Sequence, residues 1–377
     1  FAYYGLMPDP DVDDPYARPA LGYVADGKGG WVMNCLACHA GKVAGQVIPG
    51  LPNSHIALQT LTEDVRLTKL KMLKPLSHLD LVSLKLPLGT THGTTNSVVF
   101  GVVLGALRDA DMNVHLNRKS PVMRHHDMDA PPLWNVKLKR QLYCDGFAPK
   151  NHRVLMQFML IPKTTPAILA SWEDEFRDIL AWIESLEPPP WPFRVDRSLA
   201  RQGRAVFHEH CARCHGTYGA DRRYPEKVVP IDEVGTDPVR LTALTRSHRE
   251  WIKRGWLSRY GKDPVELDPI GYVAPPLDGI WATAPYLHNG SVPTLWHMLH
   301  PNRRPAVWRR TADGYDRERV GLETSNIDRI PVNVIRPADR RAYFNTRRPG
   351  KSAAGHRFPD ALTEEQKRAV LEYLKTL

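Results

Sequence analysis

The clearest periodic pattern of apolar residues lies in the middle of the chain. Apolar side chains recur at helical spacing from Trp172 to Leu186, with polar and charged residues between them. This spacing predicts an amphipathic helix with one buried face. Three prolines, 188–190, follow directly and end the helix. We therefore predict a domain boundary here, with 187–194 as a rigid extended linker.

A second helical pattern closes the chain. Thr363 and Gln366 have the spacing of a capping box, and the apolar residues after them repeat at helical intervals. Another helix is predicted over 199–210, with Gly203 on its apolar side. A glycine at that point would let Tyr373 of the closing helix approach closely.

A third apolar block covers 98–107, and the Thr-Thr-Asn run at 94–96 offers candidate caps for a helix there. This block is too short to span a bilayer. Elsewhere the 33 prolines predict many fixed loops rather than long regular elements. The N-terminal segment up to Gly30 and the segment 120–150 are expected to be irregular.

Two pentapeptides of the form Cys-x-x-Cys-His carry the candidate chemistry. Their residues are Cys35, Cys38 and His39 in the first, and Cys211, Cys214 and His215 in the second. In such a motif both thiols attach to a porphyrin, and the histidine ligates its iron. Two copies make chance a poor explanation, so the sequence predicts two covalently bound c-type haems.

Zinc binding, a thioredoxin-like redox pair and disulfide bonds are the alternatives for these cysteines. The two pairs stand far beyond the spacing of a zinc ribbon, and a histidine follows each of them directly. A redox pair requires neither that histidine nor a second copy. The fifth cysteine, Cys144, is interpreted as a small, half-buried hydrophobic residue.

The net charge of +10 on its own favours a nucleic-acid partner. We discount that partner, because buried haem propionates need Arg or Lys partners and these account for part of the excess. Four arginines offer a docking face for an acidic redox partner instead: Arg303, Arg304, Arg309 and Arg310. Haem attachment of this kind belongs outside the bacterial cytoplasm, so we expect a periplasmic, extracellular or cell-surface protein. A leader or membrane anchor before Phe1 would fit that location.

The sixth coordination position decides what each iron can do. Two permanent protein ligands leave only electron transfer, whereas an open position binds oxygen or peroxide. For the second haem, His288 is the candidate distal ligand, because it lies in a tight loop bounded by proline and glycine. His297, Met298 and His300 compete for this role, and a surface histidine is the remaining interpretation.

The chain resembles the bacterial dihaem cytochrome c peroxidase and MauG superfamily, and within it the RoxA/RoxB-like rubber oxygenases. The similar stretches are 34–50, 93–96, 214–219 and 279–285, together with the Pro-Tyr-Leu-His-Asn-Gly block at 285–290. The resemblance implies a mainly α protein with two cytochrome c-like haem domains and long irregular loops. We predict domain 1–190 to carry the first haem and the candidate active site, and domain 191–377 to carry the second haem for electron transfer.

The resemblance also bears on the ligands. Leu287 stands where the peroxidases carry methionine, and the oxygenase-like members use the next histidine, which supports His288. His55 has the spacing of the peroxidases' displaceable distal histidine, so the first haem rests closed if His55 ligates it. In the oxygenases, that haem instead binds oxygen directly in an apolar pocket. Three aromatic residues, which also suit a plain core, resemble the distal wall of that pocket and are candidate catalytic positions: Trp134, Phe147 and Phe158.

Together these features predict an oxidoreductase in which the first haem activates oxygen or peroxide and the second relays electrons. The expected partners are an electron donor or acceptor protein and an apolar organic substrate. Cleavage of polyisoprene is not implied, because the chain is considerably shorter than the rubber-cleaving enzymes. The alternative is a non-catalytic dihaem electron carrier, or a cytochrome subunit of a larger complex.

Overall fold

The computed structural model describes residues 1–12, 20–84, 86–115, 117, 123 and 125–377. Parts of the N-terminal segment and of the segment 120–150, both expected to be irregular, lie outside these residues. The described residues are 36% helix and 15% strand, so helices and strands are mixed. The mainly α class with two cytochrome c-like domains therefore stays a prediction.

Most α-helices are short, as the abundance of proline predicts. None of the described helices combines the length and the apolar character needed to cross a membrane. The helices are α1 (Leu36–His39), α2 (Leu58–Lys71), α3 (His78–Val82), α4 (Ser97–Ala106), α5 (His152–Leu155), α6 (Pro166–Ser171), α7 (Glu173–Ser185), α8 (Arg197–His210), α9 (Ala212–His215), α10 (Ile231–Val234), α11 (Arg246–Arg254), α12 (Leu295–Leu299), α13 (Pro337–Arg340) and α14 (Glu364–Leu374).

The strands form small antiparallel sheets. They are β1 (Tyr23–Ala25), β2 (Trp31–Met33), β3 (Ala40–Val43), β4 (Gln46–Pro49), β5 (Thr94–Thr95), β6 (Met128–Asp129), β7 (Gln141–Leu142), β8 (Ala148–Pro149), β9 (Val228–Pro230), β10 (Gly271–Val273), β11 (Val307–Asp316), β12 (Gly321–Ile327) and β13 (Tyr343–Asn345). In the described residues β1 to β10 pair two by two along the chain, and β11 lies between β12 and β13.

The closing helix α14 packs against α8 as the sequence predicts. Thr363 and Gln366 form the capping box at the start of α14. A Cβ atom at Gly203 would overlap the carbonyl oxygen of Ala369, so only glycine allows this close crossing. The ring of Tyr373 lies 5.3 Å from that of Phe207, measured between ring centroids. The prediction of a close approach at Gly203 is confirmed.

The predicted helices α4 and α7 are present with adjusted ends. The apolar block at 98–107 forms α4, and α7 starts just after Trp172, its N-cap residue. Phe176 and Ile183 of α7 are buried, but Ile179 and Trp182 are exposed. The buried face of α7 is therefore narrower than the periodicity predicts.

Two apolar clusters form most of the core, and their packing crosses the predicted boundary near 190. The first cluster gathers residues from the N-terminal half and also takes Trp256 and its neighbours. The second gathers residues from the C-terminal half and also takes Trp134. A buried ion pair joins the halves as well, with Lys351 Nζ 2.6 Å from Asp127 Oδ2. The division into domains 1–190 and 191–377 stays a prediction.

Candidate haem sites

The second Cys-x-x-Cys-His motif follows α8 directly and is completed by the short helix α9. His215 ends α9, and its Nδ1 lies 2.8 Å from the carbonyl oxygen of Pro275. A carbonyl acceptor fixes the proton on Nδ1, so Nε2 keeps its lone pair for a metal. Burial lowers the pKa of His215 and thereby favours the neutral imidazole that binds metals.

A second histidine, His356, lies beside His215. The centroids of the two rings are 6.2 Å apart. Metal–imidazole bonds are about 2 Å long, so two imidazoles on opposite sides of one iron have ring centres about 6 Å apart. Burial lowers the pKa of His356 to about 3, with a smaller contribution from His215. The pair fits the two axial ligands of one haem.

The loop that carries His356 is clamped by Arg304. Its Nη1 donates to the carbonyl oxygens of Ala353 at 2.6 Å and Gly355 at 2.7 Å. The backbone N–H of His356 donates to Val234 at 2.6 Å. Burial lowers the pKa of Arg304 to about 10. Arg304 thus holds the loop that carries His356, and a further role of Arg304 in partner docking stays a prediction.

The remaining arginines of that docking face also have local contacts. Arg309 lies over the ring of Tyr343, 5.4 Å from its centroid. Arg310 donates to the hydroxyl of Ser54 and, at 3.1 Å, to the carbonyl of Ala312. Partner docking through these arginines stays a prediction.

His288, the distal ligand expected from the sequence, lies against Tyr272 with the ring planes tilted by 37° and the ring centroids 4.4 Å apart. Its carbonyl accepts the N–H of Asp129 at 3.0 Å, which ties this loop to the first half. Burial lowers the pKa of His288 to about 4, and Asp237 opposes this. Its role as a ligand stays a prediction, while His356 is the ring that the structure places beside His215.

The competing residues have other partners. Nδ1 of His297 lies 2.7 Å from the hydroxyl of Thr294. Nδ1 of His300 lies 2.7 Å from the Trp296 carbonyl, and its Nε2 lies 2.9 Å from Glu364. Met298 packs against the second apolar cluster. Both ring nitrogens of His300 are therefore engaged.

The first Cys-x-x-Cys-His motif follows strand β2 and forms α1. Hydroxyls of Thr95 and Ser97 lie beside the thiol of Cys38, whose burial raises its pKa to about 11. Burial lowers the pKa of His39 to about 4. The backbone of Pro131 lies close enough to raise the pKa of His39 slightly against this effect of burial. Nδ1 of His39 nevertheless has no hydrogen-bond partner. His39 is therefore also a neutral imidazole available to a metal.

His55 lies in the loop that packs on α1. Its backbone N–H donates to Asn53 Oδ1 at 3.1 Å, and Asn53 Nδ2 donates to the carbonyl of Ala37 at 2.8 Å. Asn53 thus holds His55 near the first motif. Among the described residues, no second histidine ring lies beside His39 as His356 lies beside His215. Ligation by His55 stays a prediction.

A four-residue sequence is repeated, with one copy near each candidate haem site. The haem motifs alone do not predict this repeat. Ala-Pro-Pro-Leu occurs at 130–133 and again at 274–277. The first proline of each copy, Pro131 or Pro275, places its backbone at the proximal histidine of one site. A search of the sequence for internal repeats would have found it.

Trp134 follows the first copy of this repeat and reaches the second. Its Nε1 donates to the carbonyl of Asp278 at 2.8 Å, and Asn135 donates to the carbonyl of Pro276 at 3.1 Å. Gly279, at φ +64°, leaves room for the indole, since a Cβ there would lie 3.0 Å from it. The fully buried Trp134 therefore joins the two proximal loops.

The other two aromatic candidates lie apart from Trp134, in the first apolar cluster. Phe147 is buried and stacks on Tyr143 with centroids 5.1 Å apart. Phe158 is half-buried and packs on the same cluster. The structure therefore brings Phe147 and Phe158 into one core and assigns Trp134 to another.

Cys144 packs as the sequence predicts. It is half-buried and lies with Cys214 against a small cluster formed by Val229, Val234, Tyr272 and Ala274. Burial raises the pKa of its thiol to about 12. Within the described ranges, no group of three or more His, Cys, Asp or Glu side chains is arranged to hold a bare metal ion.

These sites define a c-type haem protein, because covalent attachment needs both thiols and the adjacent histidine supplies the iron ligand. A protein-family model described as RoxA-like, cytochrome c-like matches residues 271–309. The matched segment includes Pro275, the partner of His215, and Arg304 of the His356 clamp. The chain is thus similar to RoxA-like haem proteins at its second haem site.

Two curated proteins of Sinorhizobium fredii (strain NBRC 101917 / NGR234) are similar over part of their length. The uncharacterized protein y4iM is 28% identical over 238 residues, which is 52% of this chain and 52% of y4iM. The uncharacterized protein y4iJ is 28% identical over 259 residues, which is 51% of this chain and 41% of y4iJ. The chain spans about half the length of these curated relatives.

Among solved structures, xenon-pressurized hydrazine synthase of Kuenenia stuttgartiensis is similar at 13% identity. The similarity covers 75% of this chain and 88% of that one, with a TM-score of 0.26. A TM-score this low carries no argument about fold or function.

Proposed function

We propose that the chain is a dihaem c-type cytochrome oxidoreductase. When bound, the haem at Cys35 and Cys38 supplies activation of oxygen or peroxide, and the haem at Cys211 and Cys214 supplies electron transfer. The spacing of 6.2 Å between the rings of His356 and His215 carries this proposal, because it would allow both histidines to ligate one iron at the second site.

The protein's own residues orient the proximal histidine His215. The carbonyl of Pro275 accepts the Nδ1 proton of His215, which turns Nε2 to the metal and makes it a better donor. Pro131 has the matching place beside His39. The repeated Ala-Pro-Pro-Leu segment thus supports two sites of the same chemistry.

Trp134 supports electron exchange between the sites. It comes three residues after Pro131, and its indole donates to Asp278, three residues after Pro275. Covalent bonds and hydrogen bonds therefore run without a gap from one proximal loop to the other. Because Trp134 is fully buried, this connection excludes water.

The resemblance to the oxygenases favours an apolar organic substrate at the first site. Electrons then have to enter or leave through a partner protein, for which the basic surface suits an acidic docking face. Haem attachment of this type further implies a periplasmic, extracellular or cell-surface location. A nucleic-acid partner has only the net charge of +10 in its favour, so we do not propose one.

The spin state of each iron tests the proposal. We expect intact-mass analysis to find two haems per chain, and we expect carbon monoxide to bind the reduced first haem. The change His356→Gly should make the second haem high-spin, whereas His208→Ala, at an exposed histidine of α8, should change neither spectrum. A chain without haem mass, or an unchanged second haem in His356→Gly, would refute the assignment.

A second substitution decides the role of His55. If His55 closes the first site, His55→Gly makes that haem high-spin, and an unchanged spectrum rules His55 out as a ligand. Two low-spin haems indifferent to oxygen and carbon monoxide would instead establish the alternative of an electron carrier or a cytochrome subunit.

A further inference from the structure

A buried group of three charged residues lies between the two halves. Asp145, Arg240 and Arg249 are 1%, 2% and 1% exposed. Both guanidinium groups share one oxygen of the carboxylate, with Asp145 Oδ2 3.4 Å from Arg240 Nη1 and 3.1 Å from Arg249 Nη2. Two cations thus face one anion in a site closed to solvent.

Several polar atoms of this group have no hydrogen-bond partner. They are Arg240 Nε, Arg240 Nη2, Arg249 Nη1 and Asp145 Oδ1. Buried guanidinium N–H groups without acceptors are strongly unfavourable. The ring of Phe147 lies 5.6 Å from the Arg240 guanidinium and 5.0 Å from that of Arg249. This cation–π attraction offsets part of the cost, but an aromatic face is a much weaker acceptor than a carboxylate. Three unpaired donor nitrogens thus stand against one unpaired acceptor, Asp145 Oδ1, so the site has too few acceptors.

Two other carboxylates of the C-terminal half leave these donors unpaired. Glu266 affects Arg249 only through its charge, and Asp237 is committed elsewhere. Asp237 Oδ1 accepts the N–H of Val239 at 3.0 Å, and its Oδ2 accepts the N–H of Ser352 at 3.0 Å. The free donors belong to planar guanidinium forks, whose geometry matches the two oxygens of a carboxylate. A carboxylate from outside the polypeptide is thus the anion that the site would take.

The position of the group favours the second haem as the source of that carboxylate. Leu241, next to Arg240, donates its N–H to the hydroxyl of Tyr272 at 3.1 Å. Leu241 and Tyr272 pack in the same apolar cluster as Cys214, to which the second haem attaches. Haem carries propionate groups on its edge, within reach of residues that line its pocket.

We propose that Arg240 and Arg249 bind a propionate of the haem attached through Cys211 and Cys214. This inference rests on the proposed function, because it requires that haem. Asp145 then holds the two arginines in place rather than neutralising both. The propionate completes the charge balance and supplies the missing acceptors.

The midpoint potential of the second haem tests the proposal in the haem-loaded protein. Arg249→Met leaves the propionate charge uncompensated, which favours ferric iron, so the potential of that haem should fall and its pH dependence should move to higher pH. Arg249→Lys keeps the charge but loses the fork, so we expect a smaller shift of the same sign. Arg254→Met removes an exposed arginine from the same helix α11 and should shift neither potential.

A further measurement distinguishes the two possible sources of the carboxylate, a haem propionate and a free carboxylate from solution. Titration of the wild-type protein with butyrate probes a free carboxylate. Butyrate binding that Arg249→Met abolishes, with the second haem's potential unchanged, would overturn the propionate assignment. An unchanged potential and pH profile in a haem-loaded Arg249→Met protein would overturn it as well. If the Arg249→Met protein does not bind haem, the potential of the Arg249→Lys protein provides the same test. Absence of haem from the wild-type protein would instead overturn the proposed function.

Discussion

The substitution Arg304→Met should loosen the second haem site without touching either proposed ligand. Arg304 donates to the carbonyls of Ala353 and Gly355 at 2.6 and 2.7 Å, and these residues directly precede His356. Methionine keeps much of the apolar volume of arginine but has no donor. The loop carrying His356 then loses its clamp.

The magnitude follows from those two short bonds. A hydrogen bond to a charged group contributes about 1.5 to 3 kcal/mol. Water entering the opened loop would solvate the freed carbonyls in part, so we expect a cost of about 3 kcal/mol rather than the sum of two full bonds. Such a cost raises the population with His356 displaced by about a hundred-fold.

The assay is carbon monoxide binding by the reduced protein, followed in the bands of the second haem. Arg304→Met should bind carbon monoxide there faster than the wild type, and Arg304→Lys should recover part of the difference. Arg303→Met removes the neighbouring exposed arginine and serves as the matched control. The reasoning is refuted if His356→Gly opens the site while Arg304→Met binds carbon monoxide at the wild-type rate.

Further predictions concern packing, coupling and acid stability. Gly203→Ala should lower the unfolding free energy by about 3 kcal/mol in denaturant titration, because its Cβ would strike the Ala369 carbonyl, and a wild-type midpoint would contradict this. Trp134→Phe loses the bond to Asp278 and should slow electron equilibration between the haems in flash photolysis, so an unchanged rate argues against this connection. Hydrogen bonds and a buried lysine hold the pKa of Asp127 well below its ordinary value despite burial. Its contribution to stability is therefore present above the unfolded pKa, near 4, and is lost as pH falls below it. Asp127→Asn should flatten acid unfolding curves below pH about 4, and a slope equal to wild type would exclude this role.

Local patterns in the sequence predict the elements that depend on neighbouring residues. The capping box at Thr363, the helix that enters the second motif and the glycine at 203 are set by short-range spacing. The structure contains all three. The haem motifs are equally local, since both thiols must reach one porphyrin edge.

Contacts between residues far apart in the sequence cannot be predicted from such local spacing. His356 lies in an irregular loop at positive φ, far along the chain from His215, and no periodicity marks it. His288 attracts attention instead, because its Pro- and Gly-bounded loop resembles a known ligand loop. The apolar stripe of α7 is similarly overestimated, since periodicity does not reveal that Ile179 faces solvent.

The indole of Trp134 belongs to one half of the chain by sequence and to the other by packing. Cutting the chain at prolines 188–190 would expose the indole of Trp134 to water in the N-terminal fragment. The C-terminal fragment would be left with a cavity of the size of that indole. Losing a buried Trp side chain typically costs about 3 to 5 kcal/mol. The C-terminal fragment is therefore a poor choice for transplantation as a stand-alone module, and the two halves have to be handled as a single engineering unit.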